Sequence, residues 1–219
     1  MYHMNKTKTS IKKIKKILRE IFVVVIGVGI TLSASYWITN RKEKSDMALY
    51  LNTIKFELTE NKKTLDGIEQ HLQKSNNYTL YLSSHNKKSL NADSIRFYSD
   101  TYYQILTLTL KTNAFDMFKT SGNMRLASNK ELLLSIWDTY AKLVDLQQQF
   151  SAIMALKFED MRKETQLVPM WEIMSWSDEE ILKNVPMYNF HVNLWFYNML
   201  LYAYQNTSAM LNETLSKFE

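Results

Sequence analysis

The chain of 219 residues has no cysteine, two prolines and four glycines. Without cysteine, disulfide scaffolds, thiolate metal sites and cysteine nucleophiles are excluded. Gly27 and Gly29 lie in an apolar run, which leaves Gly67 and Gly122 for the rest of the chain. No GxGxxG, GxxxxGKS/T or GxSxG pattern can be written from so little glycine, so dinucleotide, P-loop and hydrolase-elbow chemistries are excluded. Histidine is equally scarce. His3, His71, His85 and His191 never stand three or four residues from one another, and no HExxH exists. A lone histidine in such a setting reads as a packed or solvated side chain, His71 on the charged side of its helix and His191 beside Phe190. The acidic pairs Glu159-Asp160 and Glu179-Glu180 lie among Lys and Arg and read as solvated helix faces. Serine, histidine and aspartate are present, but no local spacing joins them into a triad. No catalytic, cofactor-binding or metal-ligating residue is assigned. The expectation is a protein that is not an enzyme, with no cofactor and no small-molecule substrate.

What is present is unevenly distributed. Residues 1–20 carry seven basic side chains, Lys6, Lys8, Lys12, Lys13, Lys15, Lys16 and Arg19, against Glu20 alone. Residues 21–40 carry no charge, and the remaining 20 basic and 21 acidic groups nearly cancel over 41–219. A nucleic-acid binder would place its basic excess on the folded domain, so no nucleic-acid partner is expected. A basic tail beside an apolar stretch is the pattern of a membrane protein, with the lipid bilayer as partner. Residues 21–40 would span ~30 Å as a helix, the thickness of a hydrocarbon core. Tyr36 and Trp37 at the far end suit an interfacial aromatic belt, and Arg41, Lys42 and Lys44 follow. A cleaved signal peptide with Ser33-Ala34-Ser35 as its processing site is the alternative. The long basic region and the aromatic pair after the small residues favour a retained anchor. Gly27, Thr31 and Ser35 form a small-residue stripe on which two anchors could pack. Seven basic residues before the span against four in the 20 after it predict a cytoplasmic N-terminus and a periplasmic C-terminal domain.

Beyond the span the pattern becomes that of packed helices. Leu51, Ile54, Leu58, Asn61, Leu65, Ile68 and Leu72 repeat at 3-4 spacing, a heptad seam with one polar member. No proline separates it from the anchor, so one helix is expected from about Ile11 to Lys74, followed by a loop-like stretch from Ser75 to Ala92. Asn61 would fix register if this seam served self-association. Leu133, Ile136, Tyr140, Leu143, Leu146, Phe150 and Ile153 form a second seam, opened by a capping box from Ser128 to Glu131 and ending before Pro169. Phe190, Leu194, Tyr197, Leu201, Tyr204, Ser208, Leu211, Leu215 and Phe218 form a third, after Pro186. A short helix from Asp178 to Asn184 is opened by Ser177 and Glu180. Residues 105–110, ILTLTL, alternate like a strand. A lone strand among helices would lack a hydrogen-bonding partner, so Ser94–Lys111 is read as helix. Phe115–Thr120 reads as a short helix stopped by Gly122. The fold class is therefore all-α: an N-terminal transmembrane helix, then a mostly antiparallel bundle of long heptad-patterned helices. The domain boundaries are 1–20 for the basic tail, 21–40 for the span and 41–219 for the bundle.

The late part of the chain is aromatic, with Trp171, Trp176, Tyr188, Phe190, Trp195, Phe196, Tyr197, Tyr202 and Tyr204, and no charge falls between Asn184 and Asn212. A central bundle helix is the favoured reading. A partner-facing surface and a second span are the alternatives, the last opposed by Asn189, Asn193, Asn198, Gln205 and Asn206.

Two segments carry a family resemblance. Residues 20–65 place Trp37, Arg41, Tyr50-Leu51, Glu57-Leu58, Asn61 and Leu65 after the apolar run, and residues 115–140 place Ser121-Gly122-Asn123 before a Leu-rich helix ending in Tyr140. This pattern resembles an uncharacterised family of single-pass, membrane-anchored helical proteins of Bacteroidota, a domain-of-unknown-function family. The chain departs from it at Ser35-Tyr36 and Ile38-Thr39, where the family tends to have Asn and an acidic group. The resemblance implies a membrane-anchored helical protein and supplies no activity. The expected function is a non-enzymatic interaction or scaffold protein of the cell envelope, with a homo-oligomer or an envelope protein as partner. The alternative is a membrane-acting signalling or stress and defence effector that oligomerises through its anchor.

Overall fold

The computed structural model describes residues 4–85, 89–91, 93–94, 97–98, 104–165, 168–173, 175–177, 180, 183–184 and 196–218. They are helical apart from turns, short connections and one segment of irregular structure, and no strand occurs among them. The helices are α1 (Met4–Ser84), α2 (Asn113–Thr120), α3 (Lys130–Thr165), the single turn α4 (Met170–Ile173) and α5 (Phe196–Ser216), with a 3-10 turn at Asn123–Leu126. Contacts divide the chain into two units, Met1–Tyr50 and Leu51–Glu219.

In the first unit α1 has no tertiary neighbour to bury its apolar run. Ile21, Phe22, Val23, Val24, Val25 and Trp37 are each more than half exposed. It is the one helix among the described residues long and apolar enough to cross a membrane, with a mean hydropathy of 2.1 over its most apolar window. The Arg41 guanidinium lies 5.5 Å from the centre of the Trp37 ring, at the end of the run.

In the second unit the three seams meet. Ile54, Leu58, Asn61, Leu65 and Leu72 of α1 are buried, as are Ile136, Tyr140, Leu143, Leu146 and Phe150 of α3. From α5 come Tyr197, Leu200, Tyr204, Thr207, Leu211 and Thr214. Each aliphatic side chain taken from water in this way contributes about 1.5–3 kcal/mol, which no single helix gains alone. Helix directions follow from the cross-links. Glu57 meets Tyr140 and His71 senses Lys157, so α1 and α3 ascend together. Thr139 bonds Thr214 at 2.8 Å, and Lys157 reaches Tyr197 at the opposite end, so α5 runs antiparallel to α3. Contacts of α5 Tyr204 with Glu69 and of Tyr197 with Ser75 make it antiparallel to α1 as well. Two of the three pairings are antiparallel.

Several local expectations change. α1 continues ten residues beyond Lys74, because Ser75, Thr79 and Leu82 extend the 3-4 seam and are buried with it, with Asn76 and Tyr78 alongside. Ser94–Lys111 is not one helix. Asp93, Ser94, Phe97 and Tyr98 are helical, 104–112 is neither helix nor strand, and the intervening residues lie outside the described set. The alternation of 105–110 is genuine, with Leu108 and Leu110 buried while Ile105, Thr107 and Thr109 face outward. The objection that a lone strand lacks partners is met by side chains from the helices. Asn61 donates Nδ2–H to the Lys111 carbonyl at 2.8 Å and accepts the Lys111 N–H at 2.7 Å, as a neighbouring strand would. Gln147 Oε1 accepts the Leu110 N–H at 2.7 Å. Asn61 is thus engaged inside its own chain.

The α3 cap is shifted by one residue. Asn129, not Ser128, accepts the Leu132 N–H at 2.9 Å, so it occupies the N-cap position. The box at Ser177 and Glu180 forms, with Glu180 Oε2 accepting the Ser177 N–H at 2.6 Å. Glu180 and Lys183 are helical, and residues 178, 179, 181 and 182 of the expected short helix lie outside the described residues. Gly122 sits two residues past the end of α2, after the C-cap Ser121, with φ +73°, a conformation that strains other residues. The described part of α5 is not a fully surrounded central helix: Asn198, Met199, Tyr202, Gln205 and Asn206 face solvent. Phe190, Leu194, Asn189 and Asn193 lie outside the described residues.

Candidate functional site

Two buried polar clusters stand at different levels of the bundle. At the first, Glu57 of α1 is 7% exposed. Its Oε2 accepts the Ala114 N–H at 2.9 Å and its Oε1 accepts the Tyr140 hydroxyl at 2.6 Å. The Thr112 side chain does not cap α2, so a carboxyl from a distant helix takes that role at the positive end of the helix. The Tyr140 ring stacks on Phe115 at 4.4 Å, and Phe115 meets Trp137 edge-on at 5.5 Å. Burial, followed by the Glu57 bond and charge, pushes the Tyr140 hydroxyl far above the ordinary tyrosine value, so it stays a donor. Glu57, Asn61 and Gln147 together pin the irregular segment and the start of α2.

The second cluster centres on Lys157, which is 0% exposed. Its Nζ donates to the Gln104 carbonyl at 2.6 Å and to the Tyr197 hydroxyl at 2.9 Å. It joins α3, the irregular segment and the first turn of α5. Burial drives the amine down to about 7. From α1, His71 is driven down to about 4 by burial first, then by the charges of Lys157 and Lys74. Tyr197 is raised by burial. Ser75 Oγ approaches the Tyr197 hydroxyl but completes no hydrogen bond. It and His71 Nε2 are the two buried side-chain atoms without a partner among the described residues. Orphaned polar atoms beside a buried amine are destabilising, so the two clusters differ in how well their groups are satisfied.

His71 is therefore half-buried rather than on a charged face, because the seam of α1 turns it toward α3. His85 is exposed, with Nδ1 2.8 Å from the Tyr81 carbonyl. His3 and His191 lie outside the described residues. Glu159 and Asp160 pair with Arg162 and Lys163 on the exposed face of α3. Sequence reasoning misses Lys157, although a signal exists: it continues the seam Phe150, Ile153 at the next helical step. No group of three or more His, Asp or Glu among the described residues converges as a metal site would. A surface cleft lies between α3 and α5, lined by Lys142, Asp145, Gln149, Met199, Tyr202 and Asn206.

Fold and surface together define an all-helical protein with, among the described residues, one helix long and apolar enough to cross a membrane. No family model, curated protein or solved structure matches the chain.

Proposed function

We propose that the chain is a non-enzymatic, membrane-anchored interaction or scaffold protein of the bacterial cell envelope, with residues 21–40 in the inner membrane, the basic tail in the cytoplasm and the bundle in the periplasm. One observation carries the reading: the uncharged run of α1 is wholly unburied in its own chain, and exposing it to water would be strongly unfavourable. The seven basic residues preceding it supply the orientation. The resemblance of residues 20–65 and 115–140 to the Bacteroidota family agrees with an anchored helical protein. The buried clusters support a structural use of the polar groups, since each joins separate segments of the bundle. The chain lacks cysteine, so Ser10→Cys and Lys63→Cys each create one labelling site. An impermeant maleimide on intact spheroplasts should label position 63 and spare position 10. The reverse pattern inverts the topology and ends the envelope-scaffold reading.

A second reading, an effector that oligomerises through its anchor, draws on the stripe of Gly27, Thr31 and Ser35. All three are exposed, and Thr31 Oγ1 donates to the Gly27 carbonyl at 2.9 Å, leaving a smooth face. Depolarisation of cells on overexpression distinguishes it, because a passive scaffold leaves the membrane potential intact.

A further inference from the structure

α3 carries two seams, and the bundle buries only one. The buried seam runs through Ile136, Tyr140, Leu143, Leu146 and Phe150. The other starts with Leu134, Trp137, Ala141 and Val144 and continues with Gln148, Ser151, Ala155 and Phe158, at strict 3-4 spacing and without a charge. All eight positions are exposed. A 3.5-residue repeat held over four heptads keeps an uncharged stripe turned toward a second helix that winds alongside. Charge is scarce around it as well. Between Glu131 and Glu159 the exposed side of α3 carries Asp138, Lys142 and Asp145 alone, and α5, across the neighbouring cleft, has no charge from Phe196 to Asn212. Leu134, Trp137, Val144, Leu156 and Phe158, with Met199 and Tyr202 of α5, are from 42% to 67% exposed. Side chains of this size leave roughly 700 Å² of apolar surface open. A monomer ordinarily leaves a patch of about 300–600 Å², and a stable dimer takes about 800 Å² from each partner. The stripe is also concave. Trp137, Ala141 and Val144 wall a cleft of about 270 Å³ with Phe115 and Lys119 of α2, a hole for a knob from a facing helix.

The chemistry of the stripe matches a copy of itself. Gln148, at its centre, carries donors and an acceptor, so a second Gln148 satisfies it inside an otherwise apolar seam. Trp137 is followed by Ala141 and Phe158 is preceded by Ala155, so like layers placed against like leave room for the rings. Flanking charge sets the direction. The row on one side of the seam is Asp138, Asp145, Ala152 and Glu159, and the row on the other is Leu133, Tyr140, Gln147 and Met154. A parallel pair sets the acidic row of each helix against the uncharged row of the other, whereas an antiparallel pair sets acid against acid. We infer that two copies of the chain pair in parallel along this seam, α3 against α3, with Gln148 bonded to its counterpart. The pairing rests on the interaction-protein reading above and names its partner, a second copy. It leaves the seam of α1 closed within each chain.

Because the chain lacks cysteine, Ala141→Cys and Ala155→Cys each place a single thiol at a layer where the paired helices come within disulfide reach. Oxidation of the full chain in detergent micelles with copper phenanthroline should convert most of each variant to a covalent dimer on a non-reducing gel. Lys63→Cys, on α1, should stay monomeric. Failure of both α3 variants to cross-link overturns the pairing, and cross-linking only in a mixture of the two overturns its parallel direction. Light scattering reads the same contact without a thiol. Val144→Glu places a charge in the seam at an exposed position, so the circular dichroism of the helices should be unchanged while the protein mass falls twofold. A natural chain that is monomeric overturns the inference. So does a dimer that survives Val144→Glu, which is what association through the anchor alone would give. Maleimide labelling at positions 10 and 63 tests the topology whichever way these results fall, so the two readings fail separately.

Discussion

The Glu57 and Lys157 ends of the bundle solve the same problem in opposite ways. Each buries an ionisable side chain where three segments meet, and each uses it to hold backbone that no sheet or helix satisfies. At Glu57 the acceptors find matching donors, a helix-end amide and a tyrosine hydroxyl, and one turn on Asn61 Oδ1 accepts the Lys111 N–H. At Lys157 the donors find oxygens, but His71 Nε2 and Ser75 Oγ are left without partners. A completed network rigidifies, whereas an incomplete one is a place where the fold gives first.

Removing the centre of the complete end should cost most. Glu57→Ala strands the Ala114 N–H and the Tyr140 hydroxyl, so unfolding free energy should fall by about 3 kcal/mol or more. Glu57→Gln, which keeps an acceptor, should cost about half as much. Denaturant titration followed by circular dichroism measures both, and a cost under ~1 kcal/mol for the alanine variant would place Glu57 outside the network.

The incomplete end should show itself in pH dependence. Between the ordinary and the depressed values of Lys157 and of His71 the folded chain binds fewer protons than the unfolded one. Stability therefore rises with pH, from about 4 to 6.5 through His71 and upward from about 7 through Lys157. Near pH 10 the gain reverses, because Tyr140 and Tyr197 stay neutral only in the folded chain. From about pH 7 to about pH 9 the increase should reach about 2 kcal/mol, and Lys157→Met should remove it while leaving the lower window. A flat profile in the natural chain would erase the contrast between the two ends.

The smallest effect concerns the start of α3. Asn129→Ala should lower stability by about 1 kcal/mol and Ser128→Ala by less than about 0.5 kcal/mol. Equal losses would mean that the two residues share the cap.

How much of this was legible in sequence depends on the range over which each feature is decided. The seams of α1 and α3, the Gly122 stop and the Ser177–Glu180 box rest on local spacing and appear close to where spacing puts them, whereas α5 keeps Tyr197, Tyr204 and Leu211 but buries Leu200, Thr207 and Thr214 in place of Leu201, Ser208 and Leu215. The irregular segment could not be read so. Its alternation was visible, but its partners Asn61 and Gln147 lie 50 and 37 residues away from Lys111 and Leu110. The extension of α1 through Ser75 and Thr79 was hidden by polar residues that resemble a loop until the packing is known. Lys157 was hidden by its charge, which marks a surface residue in most chains. The uncharged apolar run was the plainest feature, and the structure leaves it unburied.

Whether the heptad seam of α1 closes within one chain or between chains is decided at Asn61. In the structure Asn61 is 1% exposed and grips the Lys111 backbone in both directions, so Asn61→Leu removes the partner of a part-buried N–H and carbonyl. Thermal unfolding with light scattering on the full chain in detergent should show a lower melting temperature and an unchanged oligomer distribution. A higher melting temperature with a broadened distribution would contradict closure within one chain, because that is how a polar register residue in an intermolecular coiled coil responds.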